Sequence, residues 1–235
     1  MSGLIESATQ ILSASERRLE TVSNNVANVA TPGFKRQVSF ADTMSAQGAG
    51  SSETVLQNRA DLAAGKLSNT GNPLDLAIPG SGFFQLRAGG ETVYSRQGQF
   101  KLAADGTVVT PQGYVLQQAG GGDLVLDREA VQILEDGTVM DEGRPVGRIG
   151  LFAAADPAAI QPLGGSLFSI SGDAVEEVAA PAVRQGMLEG SNVTLGEEMI
   201  TMMASMRQAE SGARLVQVYD DLLGRAISAF GTSGR

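Results

Sequence analysis

The 235-residue chain contains no cysteine, no histidine and no tryptophan, and aromatic residues make up only 5% of it. Without thiols and imidazoles, disulfide bridges, structural zinc sites and catalysis based on Cys or His are excluded. The scarcity of aromatic residues argues against a large buried ligand pocket, because aromatic side chains usually line such pockets. We therefore expect no cofactor, no metal site and no enzyme activity.

The remaining routes to catalysis are carboxylate pairs and serine–lysine chemistry. The three lysines are Lys35, Lys66 and Lys101, and none lies in a Ser-x-x-Lys pattern. Asp105 and Asp136 would suit glycoside hydrolysis only if they met in a cleft, and nothing in the sequence indicates this. Each is followed by glycine and flanked by Val and Thr, which instead predicts two similar β-hairpins.

The formal charge of −9 is unevenly distributed. Residues 1–35 carry three acidic and three basic side chains, and residues 184–235 carry six and five, so residues 36–183 hold a net −8. Near-neutral ends associate with little repulsion, and an acidic middle repels nucleic acid. No apolar run is long enough for membrane insertion, and a basic n-region is missing, so we expect neither a membrane span nor a cleaved signal peptide.

Both ends of the chain carry an apolar stripe at steps of three and four residues. The N-terminal stripe comprises Ile5, Ala8, Leu12, Ser15, Leu19, Val22, Val26 and Val29. The C-terminal stripe comprises Leu195, Met199, Met202, Met206, Ala209, Ala213, Val216, Asp220, Leu223 and Ile227. Stripes with this period are typical of helices that pack side by side in a left-handed supercoil. They predict an N-terminal helix over about 3–29 and a C-terminal helix from about Asn192.

Between the helices the pattern is that of a β domain. Short strands separated by Gly, Pro and Asp are predicted at 74–78, 83–86, 113–118, 124–126, 146–153 and 166–170. The fold class is therefore α+β, with two long terminal helices packed as a coiled-coil-like pair and an all-β domain inserted between them. The predicted segments are the helix (1–33), an extended linker (34–70) with a low-complexity loop at Gln47–Ser52, the β domain (71–180), a return linker (181–191) and the second helix (192–235).

Three motifs identify a family resemblance. Ser23–Lys35 reads Ser-Asn-Asn-Val-Ala-Asn-Val-Ala-Thr-Pro-Gly-Phe-Lys, and it closely resembles the N-terminal signature of bacterial flagellar rod and hook proteins. Asn69–Ile78, followed by Tyr94–Phe100, resembles the start of that family's β domain. Gln185–Val193 resembles the segment that leads into its C-terminal helix. The length indicates the two types of intermediate size in that family, and of these we favour the FlgF type of rod protein first and the distal-rod FlgG type second.

The resemblance implies a structural subunit of the flagellar basal-body rod, which polymerises through its terminal helices into a torque-transmitting shaft and export channel. It implies as partners other proximal and distal rod proteins, further copies of the chain and the flagellar export apparatus, and a location in the periplasmic rod. The predicted assembly interface comprises Ile5, Leu12, Leu19, Val22, Asn25, Val26, Val29, Leu195, Met199, Met202, Met206, Val216, Leu223 and Ile227.

Two other functions stay open at this stage. An enzyme acting on peptidoglycan would need a carboxylate with a matched partner in a cleft, and Glu189 or Asp75 would be the candidates. A cytoplasmic coiled-coil adaptor with a β recognition domain would show the same two stripes. Hydrolysis of cell-wall material identifies the first alternative, and retention in cells with a working flagellar export system identifies the second.

Overall fold

A computed structural model describes residues 2–44, 53–170 and 175–232. The chain divides into two compact units. Unit 1 comprises residues 1–26, 39–57 and 194–235, and unit 2 comprises residues 27–38 and 58–193. The chain therefore passes from one unit to the other four times.

Two helices and eighteen strands account for the regular structure of the described residues. The helices are α1 (Ser2–Ala27) and α2 (Leu195–Thr232), and a short 3₁₀ turn spans Pro157–Ala159. The strands are β1 (Gln37–Met44), β2 (Glu53–Ala60), β3 (Leu67–Asn69), β4 (Leu76–Ala77), β5 (Phe83–Ala88), β6 (Glu91–Ser95), β7 (Lys101–Leu102), β8 (Val108–Val109), β9 (Val115–Leu116), β10 (Gln132–Ile133), β11 (Thr138–Asp141), β12 (Arg144–Arg148), β13 (Leu151–Ala154), β14 (Ile160–Gly164), β15 (Leu167–Ile170), β16 (Val175–Glu177), β17 (Arg184–Gln185) and β18 (Met187–Glu189).

Unit 2 is built on a nine-stranded antiparallel sheet. Seven strands follow the order β14-β15-β6-β5-β9-β8-β7, and β13 pairs with both β5 and β16. A three-stranded sheet has the order β10-β11-β12. Two short antiparallel pairs, β3 with β18 and β4 with β17, hold the beginning of the β region next to its end.

The alternation of side chains along β5 and β6 divides the buried residues of unit 2 into two clusters. Phe84 and Val93 belong to the larger cluster, whereas their neighbours Phe83 and Tyr94 belong to the smaller one, because adjacent strand residues point to opposite faces. The larger cluster is Leu74, Leu76, Ile78, Phe84, Leu86, Val93, Phe100, Val108, Leu116, Leu124, Leu126, Val131, Ile133, Val139, Ile149, Leu151 and Val183. The smaller one is Phe83, Tyr94, Ile160, Phe168 and Ile170.

The two Asp-Gly hairpins predicted from the sequence are confirmed. Gly106 and Gly137 have φ of +83° and +81°, and their amides close tight turns between β7 and β8 and between β10 and β11. Asp105 Oδ1 accepts hydrogen bonds from the amide (3.1 Å) and the hydroxyl (2.7 Å) of Thr107. Asp136 accepts one from the amide of Thr138 at 2.9 Å. Both carboxylates therefore stabilise their own turns and do not form a catalytic pair in a shared cleft.

The hydrogen bonds from Thr107 predict an acid-sensitive contribution to stability. They hold the pKa of Asp105 below its ordinary value of 3.8, the side-chain hydroxyl contributing most. The folded state therefore binds this proton less readily than the unfolded state, so the contribution is present above pH 3.8 and disappears as the pH falls through the folded pKa. We expect Asp105→Asn to lower the thermal midpoint at neutral pH but not in acid below both pKa values. An equal difference at both pH values would contradict this.

Three strands, β1, β2 and β3, lie in the segment predicted as an extended linker and were not foreseen. β1 and β2 pair with each other in a separate two-stranded sheet. In the sequence of β1 the apolar residues Val38, Phe40 and Met44 alternate with polar or small residues, but β2 lacks this alternation, so the segment as a whole carries only a weak strand pattern. The predicted loop at Gln47–Ser52 lies outside the described residues. The division of the chain into five segments stays a prediction.

The prediction of two long helices packed as a coiled-coil-like pair is wrong. The C-terminal helix α2 is the one long helix, of 38 residues, and α1 is shorter, at 26 residues. The apolar stripe of α2 does not form a buried seam, since Leu195, Met199 and Met206 remain about half exposed. Knobs-into-holes packing would bury these side chains. What lies between the two helices is mostly β structure. No helix among the described residues is both long and apolar enough to cross a membrane.

Candidate functional site

The predicted interface residues of α1 and its exit differ in burial. Val22 and Asn25 are buried, and Ile5 is exposed. The others are intermediate, namely Leu12, Leu19, Val26 and Val29. This end of the chain therefore keeps only part of its apolar stripe accessible.

The predicted interface residues of α2 are far more exposed. We call Leu195, Met199, Met202, Met206, Val216 and Leu223 the first stripe. Four of them expose 40–54% of their surface, namely Leu195, Met199, Met206 and Leu223, and the other two are intermediate. Ile227 lies in α2, but its side chain is outside the part of the chain that the structure describes. Rows of exposed large apolar side chains are typical of surfaces that bind other molecules.

A second row of exposed apolar residues on α2 was missed by the sequence analysis. This second stripe is Ile200, Met203, Leu215, Val218 and Leu222, with exposures of 48–66%. Near the start of the helix it lies roughly a third of a turn from the first stripe. A search for one strict seam overlooks it, because it does not continue at heptad spacing through Arg207 and Ser211. A search of the sequence could have found the second stripe, because the apolar residues of α2 cover a wider arc of the helix surface than one heptad seam does.

The buried face of α2 is small and polar instead. Glu198, Ser205 and Gly212, spaced by seven residues, are buried. Glu198 Oε2 accepts a hydrogen bond of 3.3 Å from the side-chain Nδ2 of Asn25. A Cβ on Gly212 would lie 3.1 Å from Leu12 Cγ, so this glycine permits a close approach. The narrow polar face leaves most of both apolar stripes exposed, with Met202 and Val216 partly buried.

In unit 2 the three recognition motifs converge on one carboxylate, Glu189. Its Oε1 accepts hydrogen bonds from Lys35 Nζ at 2.7 Å and from the Gly65 amide at 2.8 Å. Its Oε2 accepts one from Arg96 Nη1 at 3.1 Å, and its main-chain oxygen accepts one from the Gly33 amide at 2.7 Å. Lys35, Arg96 and Glu189, with the main chain of Gly33 and Gly65, are called the junction cluster below.

Both cations make further contacts, and Arg96 Nε alone among their nitrogens is buried without a hydrogen-bond partner. Lys35 Nζ also donates to the main-chain oxygen of Ala63 at 2.7 Å. Arg96 donates to the main-chain oxygens of Ile78 (3.2 Å) and Gly80 (2.7 Å), and its guanidinium lies 5.4 Å from the ring centroid of Phe83. A network of this kind is stable only when its charges are matched, because each buried ion has lost its hydration.

Desolvation governs the electrostatics of the junction cluster. Burial lowers the pKa of Lys35, and the hydrogen bond and charge of Glu189 oppose this effect. Burial likewise lowers the pKa of Arg96, again opposed by Glu189. Lys35 and Glu189 each expose 1% of their side-chain surface. Removing one member of a buried ion pair costs about 3–5 kcal/mol, so Glu189 is a major determinant of the stability of unit 2.

Glycines allow the segments around the cluster to touch through their main chains. Gly33 has φ of +68°, and a Cβ there would lie 2.2 Å from the carbonyl carbon of Arg96. A Cβ on Gly65 would lie 1.9 Å from the oxygen of Gly190. These distances leave no room for any side chain. The glycine of the Thr-Pro-Gly-Phe-Lys motif is therefore required both for its backbone conformation and for space.

Asn192 ties the same segments together a few residues further along. Its Oδ1 accepts a hydrogen bond from the Arg36 amide at 2.7 Å. Its Nδ2 donates to the main-chain oxygens of Asp61 (2.9 Å) and Ala63 (3.1 Å). The Asp61 amide in turn donates to the oxygen of Arg36 at 2.7 Å. Three stretches of chain, around residues 33–36, 61–65 and 189–192, are thus bound to one another.

The carboxylates considered for peptidoglycan hydrolysis are engaged in structural contacts. Glu189 is enclosed by the junction cluster, and Asp75 is buried and accepts a 3.2 Å hydrogen bond from Asn72. Neither has the open position beside a substrate that general acid–base catalysis requires. Across residues 2–44, 53–170 and 175–232 no group of three or more acidic side chains is placed to hold a metal ion.

Family models match the chain in three places. Residues 5–35 match a model described as flagella basal body rod protein. Residues 77–141 match one described as the flagellar hook protein FlgE/F/G D1 domain. Residues 184–229 match one described as the flagellar basal body rod FlgEFG protein C-terminal. The three matches contain Lys35, Arg96 and Glu189, respectively.

Known proteins are similar over nearly the whole chain. The flagellar basal-body rod protein FlgF of Caulobacter vibrioides is 33% identical, over 92% of this chain and 92% of its own length. The FlgG rod protein of Bacillus subtilis is 30% identical, over 91% of this chain and 93% of its own length. The FlgF rod protein of Mesorhizobium japonicum is 31% identical, over 93% and 94%. The chain therefore belongs to the family of flagellar basal-body rod proteins of the FlgF/FlgG type, as a structural subunit and not an enzyme.

Proposed function

We propose that this subunit is incorporated into the rod through the two exposed apolar stripes of α2, assisted by the accessible part of α1. The observation that carries the proposal is the exposure of nine large apolar side chains among the described residues of α2, whose buried face is small and polar. Covering such side chains contributes roughly 25 cal/mol per Å² of apolar surface removed from water. Two stripes on different sides of one helix suit contacts with two neighbouring helices.

The proposed occupants of these stripes are helices of other rod proteins and of further copies of this chain. The long-range charge of α2 and its lead-in presents little obstacle, because residues 184–235 carry a net charge of only −1. The acidic side chains are concentrated in residues 36–183. Association through α2 therefore avoids the repulsion that the β region would generate between like-charged copies.

Within the family, we propose the FlgF type rather than the distal-rod FlgG type. The FlgF relatives align over 226 and 230 positions, close to the 235 residues of this chain. The FlgG relatives of Bacillus subtilis and Borreliella burgdorferi align over 246 and 252 positions, more than the chain contains. The FlgG proteins thus carry insertions relative to this chain, which supports the shorter type.

We further propose that the subunit reaches the periplasmic part of the rod through the flagellar export apparatus, with α1 retained rather than cleaved. Support comes from the match of residues 5–35 to the rod family, since these residues include most of α1. Mass spectrometry of the subunit recovered from purified basal bodies checks this proposal. Recovery of a chain that lacks α1 would contradict it.

The assembly proposal predicts a loss of motility from polar substitutions on the first stripe. We expect the double variant Met199→Asp and Met206→Asp to prevent incorporation into basal bodies, because two charges would be buried against apolar neighbours without partners. The thermal unfolding of unit 2 should stay unchanged. Swimming and the amount of subunit in purified basal bodies measure the effect in cells that lack the native chain.

The matched control keeps both positions apolar. Met199→Leu and Met206→Leu alter shape but not polarity, and such replacements usually cost less than about 1.5 kcal/mol. We expect this variant to be incorporated and to support swimming. Normal motility of the aspartate variant would refute the assembly role of the first stripe, whereas loss of motility in both variants would place the effect in helix packing rather than in polarity.

A further inference from the structure

The junction cluster lies where the chain enters and leaves unit 2. The four passages between the units follow residues 26, 38, 57 and 193. Residues 33–36 lie between the first two passages, residues 61–65 follow the third, and residues 189–192 precede the fourth. Every connection of unit 2 to the rest of the chain is therefore within a few residues of a segment that the cluster or Asn192 binds.

We propose that the junction cluster is the force-bearing attachment of unit 2, the site at which pulling or twisting of the connecting segments is transferred to the β sheets. Glu189 is the central residue, because its carboxylate and main-chain oxygen together bind four groups from three other segments of the chain: Gly33 and Lys35, Gly65, and Arg96. Arg96 connects Glu189 to the sheets, since it follows directly on β6 and its guanidinium donates hydrogen bonds to main-chain oxygens just after β4.

The chemistry of the cluster suits resistance to force rather than reversible contact. Its ion pairs are buried, so water does not compete for the hydrogen bonds while the segments are under tension. One carboxylate serves two cations, so release of Glu189 would leave Lys35 and Arg96 as neighbouring buried charges of the same sign. This penalty opposes the partial opening of any single segment. The three segments are therefore expected to separate together and at a high force.

Single-molecule pulling on the full chain tests the proposal. Since the chain has no cysteine, handles can be attached at two introduced cysteines without background. Ala27→Cys with Thr194→Cys pulls on the segments that leave unit 2. Lys101→Cys with Gln161→Cys pulls on β7 and β14, at opposite ends of the strand order of the large sheet. All four positions are exposed.

We expect Glu189→Gln to lower the rupture force at least twofold with the 27/194 handles and by a clearly smaller factor with the 101/161 handles. The matched control is Glu177→Gln, which removes the same charge from the exposed pair of Glu177 with Arg148, 2.8 Å apart. It should change neither force. An equal fall with both handle pairs would reduce Glu189 to a contributor to general stability, and no fall with the 27/194 handles would overturn the proposal.

Lys35→Met keeps the experiment decisive if Glu189→Gln does not fold. This variant retains the charge-matched pair of Arg96 and Glu189 and removes only the attachment of residue 35. We expect a smaller but measurable fall in rupture force, again larger with the 27/194 handles than with the 101/161 handles; an unchanged force with the 27/194 handles would overturn the proposal. The importance of this attachment in the rod rests on the assembly role proposed above. The rupture force of the isolated chain does not depend on assembly, so either proposal can fail while the other holds. A subunit can lose its rupture force and still enter basal bodies.

Discussion

Gly33→Ala is expected to destabilise unit 2 by about 3 kcal/mol or more. Two costs combine at this position: a side chain at φ of +68° costs roughly 1–2 kcal/mol, and overpacking typically adds about 1–3 kcal/mol. The overpacking is unavoidable, because the new Cβ would lie 2.2 Å from the main-chain carbon of Arg96. The main chain there cannot move without disturbing the bond from the Gly33 amide to Glu189. Denaturant unfolding measures the effect.

Gly71→Ala is the matched control for backbone conformation. Gly71 has φ of +73°, close to that of Gly33, but nothing lies within 4 Å of its added Cβ. We expect a loss of only about 1 kcal/mol, from the left-handed conformation alone. The difference between the two variants isolates the close contact at the junction. Equal losses would mean that the segment at Gly33 yields easily, and would contradict the tight packing described for the cluster.

Truncation is expected to have opposite results at two nearby positions. A chain that ends after Val193 keeps β17, β18, Glu189 and Asn192, so unit 2 should still unfold cooperatively. A chain that ends after Ala182 loses these residues and the core residue Val183. Lys35 and Arg96 would then have no buried carboxylate to neutralise them. We expect this shorter chain to lack a cooperative transition, because buried charges without partners are not tolerated.

Thermal unfolding and the dispersion of amide resonances in NMR spectra distinguish the two truncated chains. Gln185 adds to the contrast, since its side-chain amide donates to the main-chain oxygens of Pro73 and Val131 and accepts from the Ile133 amide. Its loss would release β10 from the beginning of the β region. Cooperative unfolding of the shorter chain would show that the return segment is not needed for folding of unit 2.

Local turn chemistry was the most predictable part of the fold. The hairpins at Asp105 and Asp136 follow from a dipeptide with one strongly preferred geometry, so their positions can be read from neighbouring residues alone. The end of α1 near Ala27 is likewise encoded locally, by Pro32 and Gly33. Burial of Phe83 and Phe84 on opposite faces follows from strand alternation. These features need no knowledge of distant contacts.

The remainder depends on contacts between residues far apart in the chain. Lys35 and Glu189 are separated by 154 positions, and each taken alone resembles an ordinary surface charge. In the sequence both residues stand out as members of motifs, and Glu189 also as a possible catalytic carboxylate, but nothing there indicates that they form an ion pair. The heptad spacing of α2 led to the wrong prediction of a coiled-coil-like pair for a related reason. Spacing specifies which side chains share a face of a helix, but not which face packs against the rest of the protein. In α2 the covered face is that of Ser205 and Gly212.

The pairing of β3 with β18 and of β4 with β17 makes residues 78–183 a closed excursion that starts and finishes at the same place. Insertions, deletions or replacements within residues 78–183 need not alter the geometry of the two strand pairs that close this segment. The alignment insertions in the FlgG relatives show that length varies among similar chains. The two strand pairs are thus suited to serve as a constant base, from which β regions of different size can extend while the terminal segments of the chain stay the same.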